Sequence, residues 1–283
     1  MSHKTLPTTL KGCIEELKNS YGIPLMDSYA LIQSVVGLTQ IELFLNFDRS
    51  ISSHEADLIA ALATRRSKHE PLAYLLKEVL FFGCKIHVSP AVLIPRFETE
   101  FLVEKILQRF PENTQLNVLD LCTGSGCIGL ALKKNRPHWN VHMTDICPQA
   151  LEVAKKNAKE NFLAVNISQG DLFEPLEPLH GFFDLIVSNP PYIPEKQYLA
   201  LEPSVGMYEP HLALTPGVTG LEIYEKISFQ AHRFMRKTGV IALEIGFDQK
   251  DNVTQVFSNG FYKNILCEKD LAGHDRFIFL ELQ

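Results

Sequence analysis

No Cys-x-x-Cys pair occurs among the six cysteines, at positions 13, 84, 122, 127, 147 and 267, and none of their spacings is that of a disulfide framework. These thiols are therefore expected to be reduced. No stretch reaches the roughly 18 consecutive apolar residues that a membrane span needs. Residues 1–10 carry no apolar signal core either, so the chain is expected in the cytoplasm and off the membrane. Positive charge is scarce: the formal net charge is −6, whereas a large nucleic-acid footprint needs clustered lysine and arginine. The nearest basic cluster, Arg65-Arg66-Ser67-Lys68, reads as a helix end whose cations complement the dipole. No direct nucleic-acid partner is expected. His138 and His142 lie four apart, as a helical zinc pair would, but Pro137 and a strand beginning near Asn140 break the helix that would align them. No metal is assigned, and no internal repeat or low-complexity segment is present.

What is there is enough apolar residue, 46% of 283, to build a sizeable core over about two domains. Residues 6 to about 74 show helical periodicity without a convincing strand. Leu10, Ile14 and Leu17 share one face, Leu58, Ala61 and Leu62 another. Ser53 before His54-Glu55-Ala56-Asp57 reads as a capped helix start. From 80 to 94 aromatic and β-branched residues, broken by Gly83 and Pro90, indicate a short hairpin or extended linker. Phe97, Phe101, Leu102, Ile106 and Phe110 then form an amphipathic helix, and beyond it strands alternate with helices, the signature of a parallel α/β sheet. The last two strands, 261–266 and 276–282, flank a short polar loop and suit an antiparallel pair.

Two motifs carry chemistry. The buried strand Leu116-Asn117-Val118-Leu119-Asp120-Leu121 runs into Cys122-Thr123-Gly124-Ser125-Gly126-Cys127-Ile128-Gly129, with a helix expected to Asn135. Gly124, Gly126 and Gly129 satisfy G-x-G-x-x-G between strand and helix, where the backbone approaches a nucleotide closely. A second strand, 140–144, ends at Asp145, about 20 residues beyond the first glycine, placed to accept hydrogen bonds from ribose hydroxyls. This spacing suits NAD as well as S-adenosylmethionine. Cys122 and Cys127 bracket the loop and read as small packing residues rather than reactive thiols.

The second motif, Asn189-Pro190-Pro191-Tyr192, follows the apolar run 183–188. An Asn-Pro turn can simply close a strand. It can also grip a planar NH2 group: the Asn189 carbonyl oxygen and the Pro190 backbone carbonyl each accept one N–H, Tyr192 offers a flat face, and two prolines stiffen the loop. An amide or exocyclic base nitrogen is a poor nucleophile until it is oriented in this way. Hydride transfer has no use for such carbonyls, whereas in-line attack on a sulfonium methyl depends on aiming one nitrogen. Methyl transfer from S-adenosylmethionine is the reading that uses both motifs.

Together with Glu70-Pro71-Leu72-Ala73-Tyr74, Phe81-Phe82-Gly83, Ile94-Pro95-Arg96-Phe97-Glu98-Thr99-Glu100, Tyr208-Glu209-Pro210 and Asp270-Leu271-Ala272-Gly273-His274-Asp275-Arg276, these motifs resemble the HemK-type protein-(glutamine-N5) methyltransferases that modify peptide chain release factors. The resemblance implies an α/β, Rossmann-like S-adenosylmethionine-dependent methyltransferase sheet with a small N-terminal all-helical domain. It divides the chain into a helical substrate-recognition domain at 1–75, a hairpin or linker at 76–95 and a catalytic domain at 96–283. It implies cofactor contacts at Cys122, Thr123, Gly124, Ser125, Gly126 and Asp145, adenine contacts at Asp171 and Leu172, and a glutamine pocket from Asn189, Pro190, Pro191 and Tyr192, with Asn189 touching both ligands. Release factors are the implied partners. Phe97, Cys122 and Leu172 stand where proline, glycine and, in some relatives, tryptophan are found, and Leu172 weakens any claim of ring stacking on adenine. Arg96, Glu98 and Glu100 are either ordinary first-turn charges or groups near the site. Glu209-Pro210 either closes over substrate or connects elements. The alternatives are a ribosomal-protein glutamine methyltransferase, a nucleic-acid adenine-N6 methyltransferase and a cofactor-binding interaction protein without turnover.

Overall fold

The structure, a computed structural model, describes residues 7–283. Residues 1–6 lie outside the described residues, and with them most of the segment searched for a signal core and the first residue of the N-terminal helical stretch. The chain divides into two compact units, Met1–Lys77 with Pro203–Tyr208, and Glu78–Glu202 with Glu209–Gln283.

The first unit contains helices α1 (Leu10–Tyr21), α2 (Leu25–Val36), α3 (Gln40–Leu45), α4 (Ser53–Arg66) and α5 (Leu72–Leu76). Local chemistry sets their starts. Thr9 caps α1, and Thr39 with Glu42 and Ser52 with Glu55 form reciprocal capping boxes that satisfy otherwise orphaned N–H groups. The cap of α4 is thus Ser52, one residue before the expected Ser53, because Glu55 must stand three residues beyond the cap. Leu10, Ile14 and Leu17 pack with Leu31, Ile32 and Leu43 as their spacing requires. The expected face of α4 is displaced: Leu58 and Ala61 are exposed, while Ile59 and Ala63, four apart, enter the core. Arg65 and Arg66 end α4 paired with Glu70 and Asp27.

The second unit opens with the antiparallel hairpin β1 (Glu78–Phe81) and β2 (Cys84–His87), whose turn residues Phe82 and Gly83 both have positive φ, as tight hairpins demand. It continues through α6 (Phe97–Arg109), β3 (Asn117–Leu121), α7 (Cys127–Asn135), β4 (Asn140–Asp145), α8 (Pro148–Glu160), β5 (Asn166–Gln169), β6 (Phe183–Ser188) and α9 (Glu195–Tyr198). A short helix α10 (Pro203–Gly206) belongs to the first unit. The chain then returns through α11 (His211–Leu214), α12 (Glu222–Gln230), β7 (Met235–Glu244), α13 (Lys250–Phe257), β8 (Tyr262–Lys269) and β9 (Asp275–Leu282).

Seven strands form one sheet in the order β5-β4-β3-β6-β7-β9-β8, parallel from β5 to β7 and antiparallel at β9 and β8. The expected α/β sheet with its antiparallel closing pair is what forms. Helices cover it, so the central strands are apolar on both faces: Val118 and Leu119 of β3, Leu185 and Ile186 of β6, and Ile241 and Ala242 of β7 are fully buried. Strand order reverses between β3 and β6. In open parallel sheets that reversal leaves a crevice beyond the carboxyl ends of the strands, where ligands bind, and both sequence motifs emerge there.

Candidate active site

Leaving β3, the chain turns through Cys122, Gly124 and Gly126 with φ of 56°, 54° and 84°. Glycine adopts such angles freely, whereas Cys122 holds them at a strain of about 1–2 kcal/mol. Gly129 serves packing instead. A Cβ there would stand 2.9 Å from Met143 and 3.0 Å from the Asp120 carboxylate, and the Gly129 N–H donates to Asp120 Oδ2 at 2.9 Å. Thr123 Oγ1 donates to the same oxygen at 2.6 Å, so Asp120 clamps the loop to the first turn of α7. Burial pushes the Asp120 carboxyl up to about 7.

Asp145, at the end of β4, accepts from Gly124 N at 2.8 Å through Oδ2 and from Cys147 N at 2.9 Å through Oδ1. Burial raises its pKa and these backbone donors oppose the rise. Asn157 of α8 braces the loop from behind, donating to Ser125 O at 2.8 Å and exchanging hydrogen bonds with the His87 backbone of the hairpin. Desolvation raises the pKa of the Cys122 and Cys127 thiols, Cys127 to about 12, so both stay protonated and poorly nucleophilic.

The second motif is stitched to the first, because Ser188 Oγ donates to Leu121 O at 2.7 Å. Asn189 Nδ2 donates to Thr99 Oγ1 at 3.2 Å, and Thr99 Oγ1 donates to Glu244 Oε2 at 2.8 Å. Gln249 grips the far side of the turn, its Nε2 donating to Tyr192 O at 2.8 Å and its Oε1 accepting from Gly246 N at 3.0 Å. Gly220 must be glycine, since at φ 79° a Cβ would lie 2.4 Å from Tyr192 O. Tyr192 packs against the main core, and burial raises the pKa of its phenol.

Between the motifs lies a concave cleft whose lining includes Cys122, Thr123, Gly124, Ser125, Asp145, Asn189 and Pro191. Arg96, Thr99, Pro210, Leu212 and Ala213 form further parts of the wall. Glu209 anchors that wall: its buried carboxylate meets Arg96 Nη2 at 2.5 Å and accepts from Ile94 N at 3.1 Å. The structure thus gives Glu209 an anchoring contact and sets Arg96 at the cleft. Gly126 stands behind the loop as the N-cap of α7, and Pro190 and Tyr192 belong to the turn without lining the cleft. Asp171 and Leu172 are not brought into it. Asp171 pairs with Lys226 at 2.7 Å, and Leu172 is a core residue whose carbonyl accepts from Thr144 Oγ1.

Thr99, Glu244 and Gln249 went unassigned in the sequence reading. A usable signal existed for Glu244: an acidic residue ending the buried run Val240-Ile241-Ala242-Leu243 stands at the carboxyl edge of the sheet, where ligands collect.

Residues 98–202 match the Methyltransferase small domain family, and residues 8–76 match the PrmC N-terminal domain family. A protein of Chlamydia trachomatis named release factor glutamine methyltransferase is 43% identical over 238 residues, covering 82% of this chain and 79% of its own length. Proteins of the same name from Geobacter sulfurreducens and Leptospira interrogans are 39% and 36% identical, the latter over 99% of both chains. The chain belongs to the release factor glutamine methyltransferase family. Among solved structures, a Pyrococcus furiosus methyltransferase aligns with TM-score 0.52 at 21% identity, covering 71% of this chain and 89% of that one. A Thermus thermophilus 16S rRNA methyltransferase aligns with TM-score 0.53 at 19% identity, covering 73% and 50%. At these identities the likeness is one of fold. As a member of this family, the chain uses S-adenosylmethionine as cofactor. The cleft suits that molecule: the outer side of Gly124 is open, with no atom within 4 Å of where a Cβ would stand, and the Asp145 carboxylate faces the same space.

Proposed function

We propose that this enzyme transfers a methyl group to the side-chain amide nitrogen (N5) of a glutamine in a peptide chain release factor. The observation that carries the reading is the meeting of the Asn189 turn and the glycine loop on one cleft, with Asn189 Nδ2 committed to Thr99; from this we infer that Oδ1 is the amide atom offered to a ligand. Cys122, Thr123, Gly124, Ser125, Gly126 and Asp145 are the residues assigned to S-adenosylmethionine, Asp145 toward its ribose hydroxyls. When bound, the cofactor supplies an electrophilic sulfonium methyl. Asn189 Oδ1 accepts one N–H of the glutamine amide, and the Pro190 carbonyl, in the turn just beyond the described cleft wall, is our assignment for the other; together they fix the direction of its nitrogen and draw electron density toward it. Pro191 and Tyr192 hold that turn rigid. Asp171 and Leu172 remain our assignment for the adenine edge, reached from beyond the described cleft wall.

Recognition of the protein substrate is assigned to the helical domain at 1–75, methyl transfer to 96–283, with the segment 76–95 between them. Support for this division comes from the separate match of residues 8–76 and from the compactness of the helical unit. With a release factor as substrate, we assign the enzyme to the cytoplasm.

Incubation with labelled S-adenosylmethionine and three acceptors, a release factor, a ribosomal protein and DNA, tests the proposal. Label should enter the release factor. Label entering either of the others and sparing the release factor would overturn the substrate assignment, and cofactor binding with no label anywhere would favour an interaction protein.

A further inference from the structure

A side-chain amide has an acceptor at one end and two donors at the other, in nearly the same shape. Half a turn about its last torsion would present the Asn189 NH2, rather than its oxygen, to an incoming NH2 group. A site that works through this residue therefore needs something to forbid the turn.

Two buried groups do so. Glu244 closes β7 and Thr99 lies in the first turn of α6, each 2% exposed. Thr99 Oγ1 gives its one proton to Glu244 Oε2 at 2.8 Å. With that proton spent, the hydroxyl can only accept, and it accepts from Asn189 Nδ2 at 3.2 Å. The Asn189 amide also favours the charged form of Glu244, so its donor end faces that carboxylate as well. With Glu244 ionised, both groups behind the amide are acceptors, and an oxygen turned toward them would meet lone pairs.

We propose that Thr99 and Glu244 are positioning residues that lock the Asn189 amide with Oδ1 toward the acceptor, making the cleft select a planar group that brings N–H donors. This rests on the methyl-transfer reading above, and it extends the working site to two residues that touch neither reacting atom. An oxygen in place of the acceptor nitrogen, as in a glutamate side chain, would meet Asn189 Oδ1 with no proton between them.

The test uses the full chain with Thr99→Val, which keeps shape and loses the hydroxyl, Thr99→Ser, which restores it, and Glu244→Gln, which offers a donor as well as an acceptor. Thr99→Val should bind S-adenosylmethionine as the parent does while kcat on a release factor falls roughly tenfold to a hundredfold. Thr99→Ser should recover most of kcat, and Glu244→Gln should fall between the two. Equal kcat in Thr99→Val and parent, or equal loss in the valine and serine variants, would overturn the proposal. A second readout needs no turnover: exchange of the Asn189 side-chain NH2 protons, followed by 15N-edited NMR, should be roughly tenfold faster in Thr99→Val than in the parent. Equal exchange would refute the lock even if the parent methylated no glutamine, which would separately refute the functional reading.

Discussion

Asn189 can lose its amide without the turn losing its supports, because Ser188, two prolines and Gln249 hold the backbone from other sides. Asn189→Ala should therefore melt close to the parent while transition-state stabilisation drops by about 1–3 kcal/mol or more, read as a fall in kcat at unchanged cofactor affinity. An unchanged kcat would remove Asn189 from the mechanism. Asp145→Ala acts on the other ligand. It strips the acceptor from Gly124 N and Cys147 N, and calorimetric titration should show S-adenosylmethionine binding weakened by about 1–3 kcal/mol. Glu244 makes a pH prediction. Burial raises its pKa from 4.5 to about 7, so between those values the native state holds a proton that the unfolded chain releases. Its contribution to stability is full below about pH 4.5 and is lost as pH rises through 7, up to a few kcal/mol. Denaturant unfolding of Glu244→Gln across that window should show a shallower slope than the parent. At this scale the legible residues were those in contiguous motifs. Thr99 and Glu244 are 145 positions apart, and only the fold brings them together.

Elements were legible where one local rule decided them. The strand at β3, the helix to Asn135 and the hairpin at Gly83 formed as the periodicity and turn residues require. Where a single residue of phase mattered, the reading slipped: on α4 a shift of one position turns a face by about 100°, which put Leu58 outside and Ile59 within. Long-range anchors were not legible. From the sequence, Glu209 either closes over substrate or connects elements; in the fold it ties the Pro210 wall to Arg96 and to the backbone before α6. Glu209→Ala should leave the Ile94 N–H without its acceptor and Arg96 without its charge partner, costing about 1–3 kcal/mol of stability, Arg96 being partly solvated. Thermal unfolding would register it, and an unchanged midpoint would show the anchor to be idle.

Over the whole molecule, the sequence could be read as a helical segment followed by an α/β sheet because their hydrophobic periods differ, 3.6 against a succession of short apolar strands. It could not be read that residues 203–208 group with the helical unit, since that grouping depends on contacts between distant parts of the chain. Nor does any local pattern show that the glycine loop and the Asn189 turn share one cleft. That follows from β3 and β6 being neighbours at the point where strand order reverses. The two motifs define the central claim, that one cleft brings a methyl donor to a protein glutamine. Mass spectrometry of a release factor incubated with the enzyme and S-adenosylmethionine tests it most directly, with fragmentation to locate the product. One added methyl on the side-chain nitrogen of a single glutamine, greatly reduced with Asn189→Ala, is the predicted result; a methyl on any other residue type, or none while the cofactor is bound, would contradict it.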